Sequence, residues 1–324
     1  MSYTIVIPTY FNFDGISILL SNIATFTQKH KPHSILIVND GCDEQTQYAS
    51  EILASELLPP IHVINIPHSG PLVAMQTGLD SVKTEYAMIL HDDTRLTNHI
   101  TIGGHVFTNT VLGQKLRFRI ETARNRRGEV VQFFMEDPLS LLYNHIVDTF
   151  SIESNVGMVS CFALNAQSPY YIQGGYRALG RNNLPFTPCK QSKFENLWLY
   201  GQFVESERWK PVHSIDTHIF IIKIDAHRQV GFNPNYNPYL FGFDDFCARF
   251  RQAGYKIFFT TDTVVYHPKT SMNIEGKLSK PTPEQMKQAI TQFMKDWKDS
   301  DIWALNAVEH IHTIQEISPD TIEM

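Results

Sequence analysis

The sequence predicts an α/β protein: a mainly parallel central sheet with helices on both faces, followed by a C-terminal helical extension. Three observations predict it. Short β-branched runs alternate with stretches of helical periodicity over residues 3–96, and strand, helix, strand in that order builds parallel units. The runs are apolar at nearly every position rather than every second one, as in strands buried on both faces. Each run also ends in polar or acidic residues, Thr9-Tyr10, Asp40-Gly41 and Asp92-Asp93, so three strand ends carry chemistry to one rim. In open α/β sheets that rim binds ligands.

Composition sets the bounds. With 324 residues, 43 % of them hydrophobic and 12 % aromatic, the chain can bury one large or two ordinary domains. A formal charge of −6 and a pI near 6.1 argue against a nucleic-acid partner, the one basic patch being Arg117, Arg119, Arg124, Arg126 and Arg127. Cys42, Cys161, Cys189 and Cys247 lack Cys-x-x-Cys spacing, so neither a zinc knuckle nor a disulfide framework is expected. The compartment expected is the reducing cytoplasm, with peripheral attachment to a membrane left open, because no apolar run is long enough to cross a bilayer and no leader precedes Tyr3.

In chain order, the run from Tyr3 reads as a strand closed by Pro8, which leaves Thr9 and Tyr10 in a loop at its C-terminal end. Ile16, Leu19, Leu20, Ile23 and Phe26 recur at helical spacing, predicting a helix from Ile16 to about Gln28. Ser34 to Asp40 is a second strand, Asp43 to Leu58 a helix stopped by Pro59-Pro60, and Ile61 to Asn65 a third strand. After a loop at His68-Ser69-Gly70, Leu72 to Val82 is helical and includes Gln76; Tyr86 to Leu90 is the strand that delivers His91-Asp92-Asp93.

Two adjacent carboxylates at a strand end repel each other unless a cation, a helix N-terminus or basic groups face them. The pair therefore reads as a seat for a hard divalent metal or, equally on these residues alone, as a solvated turn in which one Asp caps the next helix.

Ile-Pro-Thr-Tyr at 7–10, Val-Asn-Asp-Gly at 38–41 and Leu-His-Asp-Asp-Thr at 90–94 together resemble the nucleotide-sugar half of an inverting glycosyltransferase of family 2 with the GT-A fold. The resemblance implies a mixed, mainly parallel, Rossmann-like sheet. It implies that Pro8, Thr9, Tyr10, Asp40, Gln76, Asp92 and Asp93 contact the donor nucleotide, with Asp40 accepting the N–H of a uracil. His91-Asp92-Asp93 stands where the family has Asp-x-Asp, which makes Asp93 the implied ligand for Mg²⁺ or Mn²⁺.

The segment from about 100 to 155 departs from a compact family member and reads as a hairpin-rich insertion with a basic face. From 156 to 268 the chain would form the acceptor side, and residues 168–208, rich in Tyr, Gly, Pro and Asn, are suited to facing carbohydrate. Asp216 to Lys223 reads as a strand. Phe243-Asp244-Asp245-Phe246 opens a helix that Gly254 stops, one of the two carboxylates capping its N-terminus. The pair is similar to the family's acidic motif, in which one carboxylate is the general base; Asp245 is the nearer match and Asp244 the other candidate. Lys256 to His267 matches the family's last strand, which implies His267 as a metal ligand beside Asp93. Residues 1–270 would thus form the transferase domain.

Residues 271–324 read as a linker and a helical extension, with a helix from about Pro283 to Lys298 whose stripe of Met286, Ile290, Phe293, Met294 and Trp297 predicts packing on the preceding domain or homodimerisation. The activity implied is inverting transfer from a nucleoside diphosphate sugar, a UDP-sugar above all, to a hydroxyl of a glycan or lipid-linked acceptor. The alternatives are a nucleotidyltransferase, whose basic glycine-rich loop after the first strand is absent, and a catalytically silent carbohydrate- or nucleotide-binding relative.

Overall fold

The computed structural model describes residues 2–26, 30–53, 56–96, 99–102, 105–108, 121–124, 130–133, 150, 155–165, 172–173, 175–176, 209–212, 214–215, 217–236, 241–267, 282–297 and 300. In chain order the first half comprises β1 (Tyr3–Thr9), α1 (Phe13–Phe26), β2 (Ser34–Asp40), α2 (Glu44–Gln47), α3 (Ala49–Ile52), β3 (Ile61–Ile66), α4 (Pro71–Ser81), β4 (Tyr86–Leu90) and β5 (Arg95–Leu96). Two antiparallel ribbons come next, β6 (His99–Ile102) with β7 (His105–Thr108) and β8 (Glu121–Arg124) with β9 (Val130–Phe133). The second half comprises β10 (Val156–Asn165), β11 (Ile172–Gln173), β12 (Gly175–Tyr176), β13 (Trp209–Pro211), β14 (Ser214–Ile215), β15 (Ile219–Lys223), α5 (Ile224–Val230), α6 (Gly242–Gln252), β16 (Lys256–His267) and α7 (Pro283–Trp297).

The central sheet runs β13-β16-β10-β15-β4-β1-β2-β3. Strands β3, β2, β1 and β4 are parallel, and β10 and β16 are parallel to each other. Between these blocks lies β15, antiparallel to both β4 and β10. Two reversals restore direction, so β16 ends at the same rim as β1, β2 and β4. The sheet is therefore mixed and mainly parallel, as expected.

Every residue of β1, β2 and β4 is buried, and successive side chains feed two separate cores. Val6, Val38, Ala87, Ile89, Phe220 and Ile222 face one side with Leu72, Met75 and Leu79 of α4 and Phe243, Phe246 and Phe250 of α6. Ile5, Ile7, Ile37, Met88, Leu90 and Ile221 face the other, beneath Ile16, Leu19, Leu20 and Ile23 of α1. Strand alternation alone sorts them. Helix α4 lies so close to the sheet that a Cβ at Gly78 would come 2.3 Å from Val6 Cγ1.

Two expectations need correction. The helix expected over 43–58 is two single-turn helices that meet at Tyr48, whose ψ of 10° leaves the helical region. The strand expected from Asp216 starts at Ile219, after a turn at Thr217-His218. Arg117, Arg119, Arg126, Arg127, most of the aromatic stretch 168–208 and the chain beyond Ser300 lie outside the described residues. Among the described residues, no helix is long and apolar enough to cross a membrane.

Candidate active site at the strand rim

The rim is assembled by β5. Its antiparallel pairing sets Leu96 opposite Val265 and Arg95 opposite Tyr266. Continued by one residue, that register brings the His91–Thr94 turn against the end of β16. The turn is pinned by the carbonyl of His218, which accepts from His91 N at 3.1 Å and Thr94 Oγ1 at 3.0 Å, and closed by Thr94 N donating to His91 O at 2.9 Å. It is a turn, but a buried one: Asp92 is 8 % exposed, Asp93 3 % and His267 7 %.

His267 Nε2 lies 2.8 Å from Asp93 Oδ1, and the His91 ring packs edge-on to His267 at 5.6 Å. The ligand-capable atoms of His91, Asp93 and His267 all fall within 4.8 Å of one another. A six-coordinate Mg²⁺ or Mn²⁺ holds its ligands at about 2.1 Å, which separates neighbouring donors by about 3 Å and opposite ones by about 4 Å. The three residues fit such an ion with small adjustment. Burial and the neighbouring His267 push His91 down to about 4, which keeps its imidazole neutral as a ligand must be. His218, stacked 5.9 Å from His267, is pushed well below the ordinary range by burial and by the same neighbours.

Asp92 points elsewhere. It accepts from Thr9 Oγ1 at 2.7 Å, tying the end of β4 to the end of β1. Burial and the charge of Asp93 push it up to about 7, against the pull of the Thr9 hydrogen bond and the nearby Asn12 amide.

Beside this cluster, Asp40 at the end of β2 organises a loop. Its carboxylate accepts from Ser69 N at 2.6 Å and Gly70 N at 2.9 Å, and meets His68 Nδ1 at 3.1 Å. These contacts set the entry to α4, where Gly70 (φ 91°) leads into Pro71 at the first helical turn. Tyr10 stacks on His68 with ring centroids 4.2 Å apart and touches Phe11 edge-on, giving the rim an aromatic wall. Gln76 is half-buried on α4: Oε1 accepts from Phe232 N at 2.8 Å, and Nε2 donates to Asp80 at 2.8 Å and meets His227 Nε2 at 3.2 Å.

The second acidic pair opens α6, the helix that precedes β16 in the chain. A Schellman turn at Gly254 ends it: Gly254 N donates to Arg251 O and Tyr255 N to Phe250 O. Neither Asp is the cap, contrary to expectation. The cap position belongs to Phe241, in the left-handed region at φ 61°, and both carboxylates stand inside the first turn, where the helix dipole favours them.

Their surroundings differ. Asp245 is 1 % exposed and both oxygens are engaged, one by Arg249 Nε at 2.8 Å and the other by Trp297 Nε1 at 2.9 Å. Asp244 accepts from the neutral hydroxyl of Ser214 at 2.9 Å.

Of the stripe on α7, Phe293 and Trp297 are buried against Tyr236 and Ala248. Residue patterns gave no warning of His68, Ser214 or Trp297. His91 carried a usable signal, since an imidazole replacing a carboxylate in a metal signature is itself a ligand type.

Residues 4–106 match the profile of glycosyl transferase family 2. No curated protein matches the chain in sequence. Among solved structures, the chain is similar to GalNAc-T7 with UDP, GalNAc and Mn²⁺, at a TM-score of 0.55 and 15 % identity over 92 % of this chain and 49 % of that one. It is also similar to residues 1–349 of TarS from S. aureus in complex with UDP-GlcNAc, at 0.52 and 13 % identity over 93 % of this chain and 68 % of that one. The chain thus spans about half the length of the first and about two thirds of the second. At these identities the likeness is one of fold. The match to glycosyl transferase family 2 is thus confined to residues 4–106, on a chain whose fold is that of the GT-A glycosyltransferases.

Proposed function

We propose that this chain transfers a sugar, with inversion, from a nucleoside diphosphate sugar to a hydroxyl of a glycan or lipid-linked acceptor, and that the reaction depends on Mn²⁺ or Mg²⁺. The observation that carries the reading is the convergence of His91, Asp93 and His267 at the rim where the family 2 segment also ends β1 and β2. GalNAc-T7 with UDP and Mn²⁺ and TarS with UDP-GlcNAc support a donor of the UDP-sugar class.

In this reading Pro8, Thr9, Tyr10 and the loop fixed by Asp40 receive the nucleoside, the Tyr10–His68 wall offering a face to the base. Asp92 holds Thr9 in place. His91, Asp93 and His267 would hold the ion, which would supply positive charge to the departing diphosphate. A buried carboxylate in the first turn of α6 takes the proton of the acceptor hydroxyl as its oxygen attacks the anomeric carbon and the diphosphate leaves from the opposite face. Asp244 is the better candidate, because both oxygens of Asp245 are already held by a guanidinium and an indole.

The test is a thermal-shift screen of UDP-, GDP-, CMP- and dTDP-sugars with and without Mn²⁺, on wild type and on Asp93→Ala. A Mn²⁺-dependent shift with one nucleotide class, lost in Asp93→Ala, is expected. Equal shifts with and without Mn²⁺ count against the metal, and folded protein that responds to no donor counts against the transferase reading.

A further inference from the structure

Helix α7 does more than cover an apolar surface. Its last two turns reach three points that bracket the acidic pair. At one, the Trp297 indole N–H donates to Asp245 Oδ1 at 2.9 Å, while Arg249 holds the other oxygen and anchors itself on the carbonyls of Val230 at 2.8 Å and Gly231 at 2.9 Å. At the second, the Phe293 ring lies 5.4 Å from that of Phe241, the cap residue in the left-handed conformation that bulky side chains avoid. At the third, Asp296 Oδ2 accepts from Tyr236 OH at 2.8 Å. Tyr236 in turn borders Gly242, where an added Cβ would come 3.0 Å from Tyr236 Cβ and 2.2 Å from Leu72 Cδ1. The chain on either side of Asp244 is thus set from outside.

We propose that Trp297 is a positioning residue, and that α7 is a clamp that aims Asp244 by fixing Asp245 and Phe241. The proposal rests on the transferase reading for its catalytic consequence, and on the contacts above for the clamp itself. Without the indole N–H, Asp245 Oδ1 loses a buried donor, and the carboxylate must turn to recover one. Asp244, its neighbour in the same turn, moves with it. A displacement of that size at a proton-accepting group costs rate and leaves donor affinity alone.

The variant to make in the full chain is Trp297→Phe, which keeps an apolar ring and removes the donor. Tyr236→Phe releases the other end of the clamp by one hydroxyl and serves if the first variant folds poorly. Amide hydrogen exchange over 241–245 is read with kcat and donor KM. Expected are faster exchange confined to that turn and kcat lower by about tenfold to a hundredfold, with donor KM within about twofold; Tyr236→Phe moves both in the same direction by less. Unchanged exchange in folded Trp297→Phe overturns the clamp, and faster exchange with unchanged kcat overturns the positioning role. A wild type that transfers no sugar overturns the transferase reading instead, and the exchange result still decides the clamp.

Discussion

The two acidic pairs of this protein are held in opposite ways. Asp92 and Asp93 end a strand and are met by a hydroxyl and an imidazole, Thr9 and His267. Asp244 and Asp245 begin a helix, and one of them is met by a guanidinium and an indole N–H. At the strand end the partners are a neutral hydroxyl and an imidazole, whereas at the helix start the protein supplies a guanidinium of its own. In the reading proposed above, the first pair would bind and the second would keep one acid fixed so that its neighbour is aimed.

The comparison breaks most readily at Asp93. Asp93→Ala should abolish Mn²⁺ binding by calorimetry and lower transfer at least about a thousandfold, because several kcal/mol of charge stabilisation go with the ion. Within the second pair, Asp244→Asn should lower kcat by about a hundredfold to ten-thousandfold with donor binding intact. If Asp245→Asn costs more kcat than Asp244→Asn while leaving thermal stability unchanged, the two roles are reversed.

Arg249→Met tests the built-in cation. It strands Asp245, and should cost roughly 3–5 kcal/mol in urea unfolding, far more than losing a surface pair would. Thr9→Val removes the neutral donor on Asp92 and should cost about 1–3 kcal/mol by the same measurement.

His227, packed behind α4, provides a control away from both pairs. Burial lowers its ionisation below the ordinary 6.5, so the fold favours the neutral ring. Its contribution is complete above 6.5 and lost as pH falls, at up to about 1.4 kcal/mol per pH unit, and His227→Asn should flatten that slope in urea unfolding between pH 7.5 and 5.5.

Much of this arrangement was legible in the sequence, for identifiable reasons. Strands buried on both faces are continuous apolar runs, and those runs end where Thr9, Asp40 and Asp92 stand. The helix expected over 43–58 was not legible in its true form, because its break at Tyr48 carries no Gly or Pro. Asp43, by contrast, caps α2 by accepting from Thr46 N, as its residue type favours. Gln76 stands in the stretch that the resemblance assigns to the donor, yet what its amide bonds depends on Phe232, 156 residues away. Separation in sequence also hid the Trp297–Asp245 contact, 52 residues apart, and with it the difference between the two acids of the helix. Patterns report the period and polarity of a segment, whereas side-chain pairing across the fold is fixed only once the sheet order is known.

The sheet order also bears on how the chain folds. Asp93 and His267 are 174 residues apart, and closing a loop of that length costs about 4–5 kcal/mol of chain entropy. They are brought together by β15, which runs against both parallel blocks and lets β16 end beside β4's own end of the sheet, a contact of high sequence separation. An ion held there would join the ends of β4 and β16 like a cross-link, stabilising the folded state in proportion to the logarithm of its concentration above Kd. Removing it would withdraw that stabilisation.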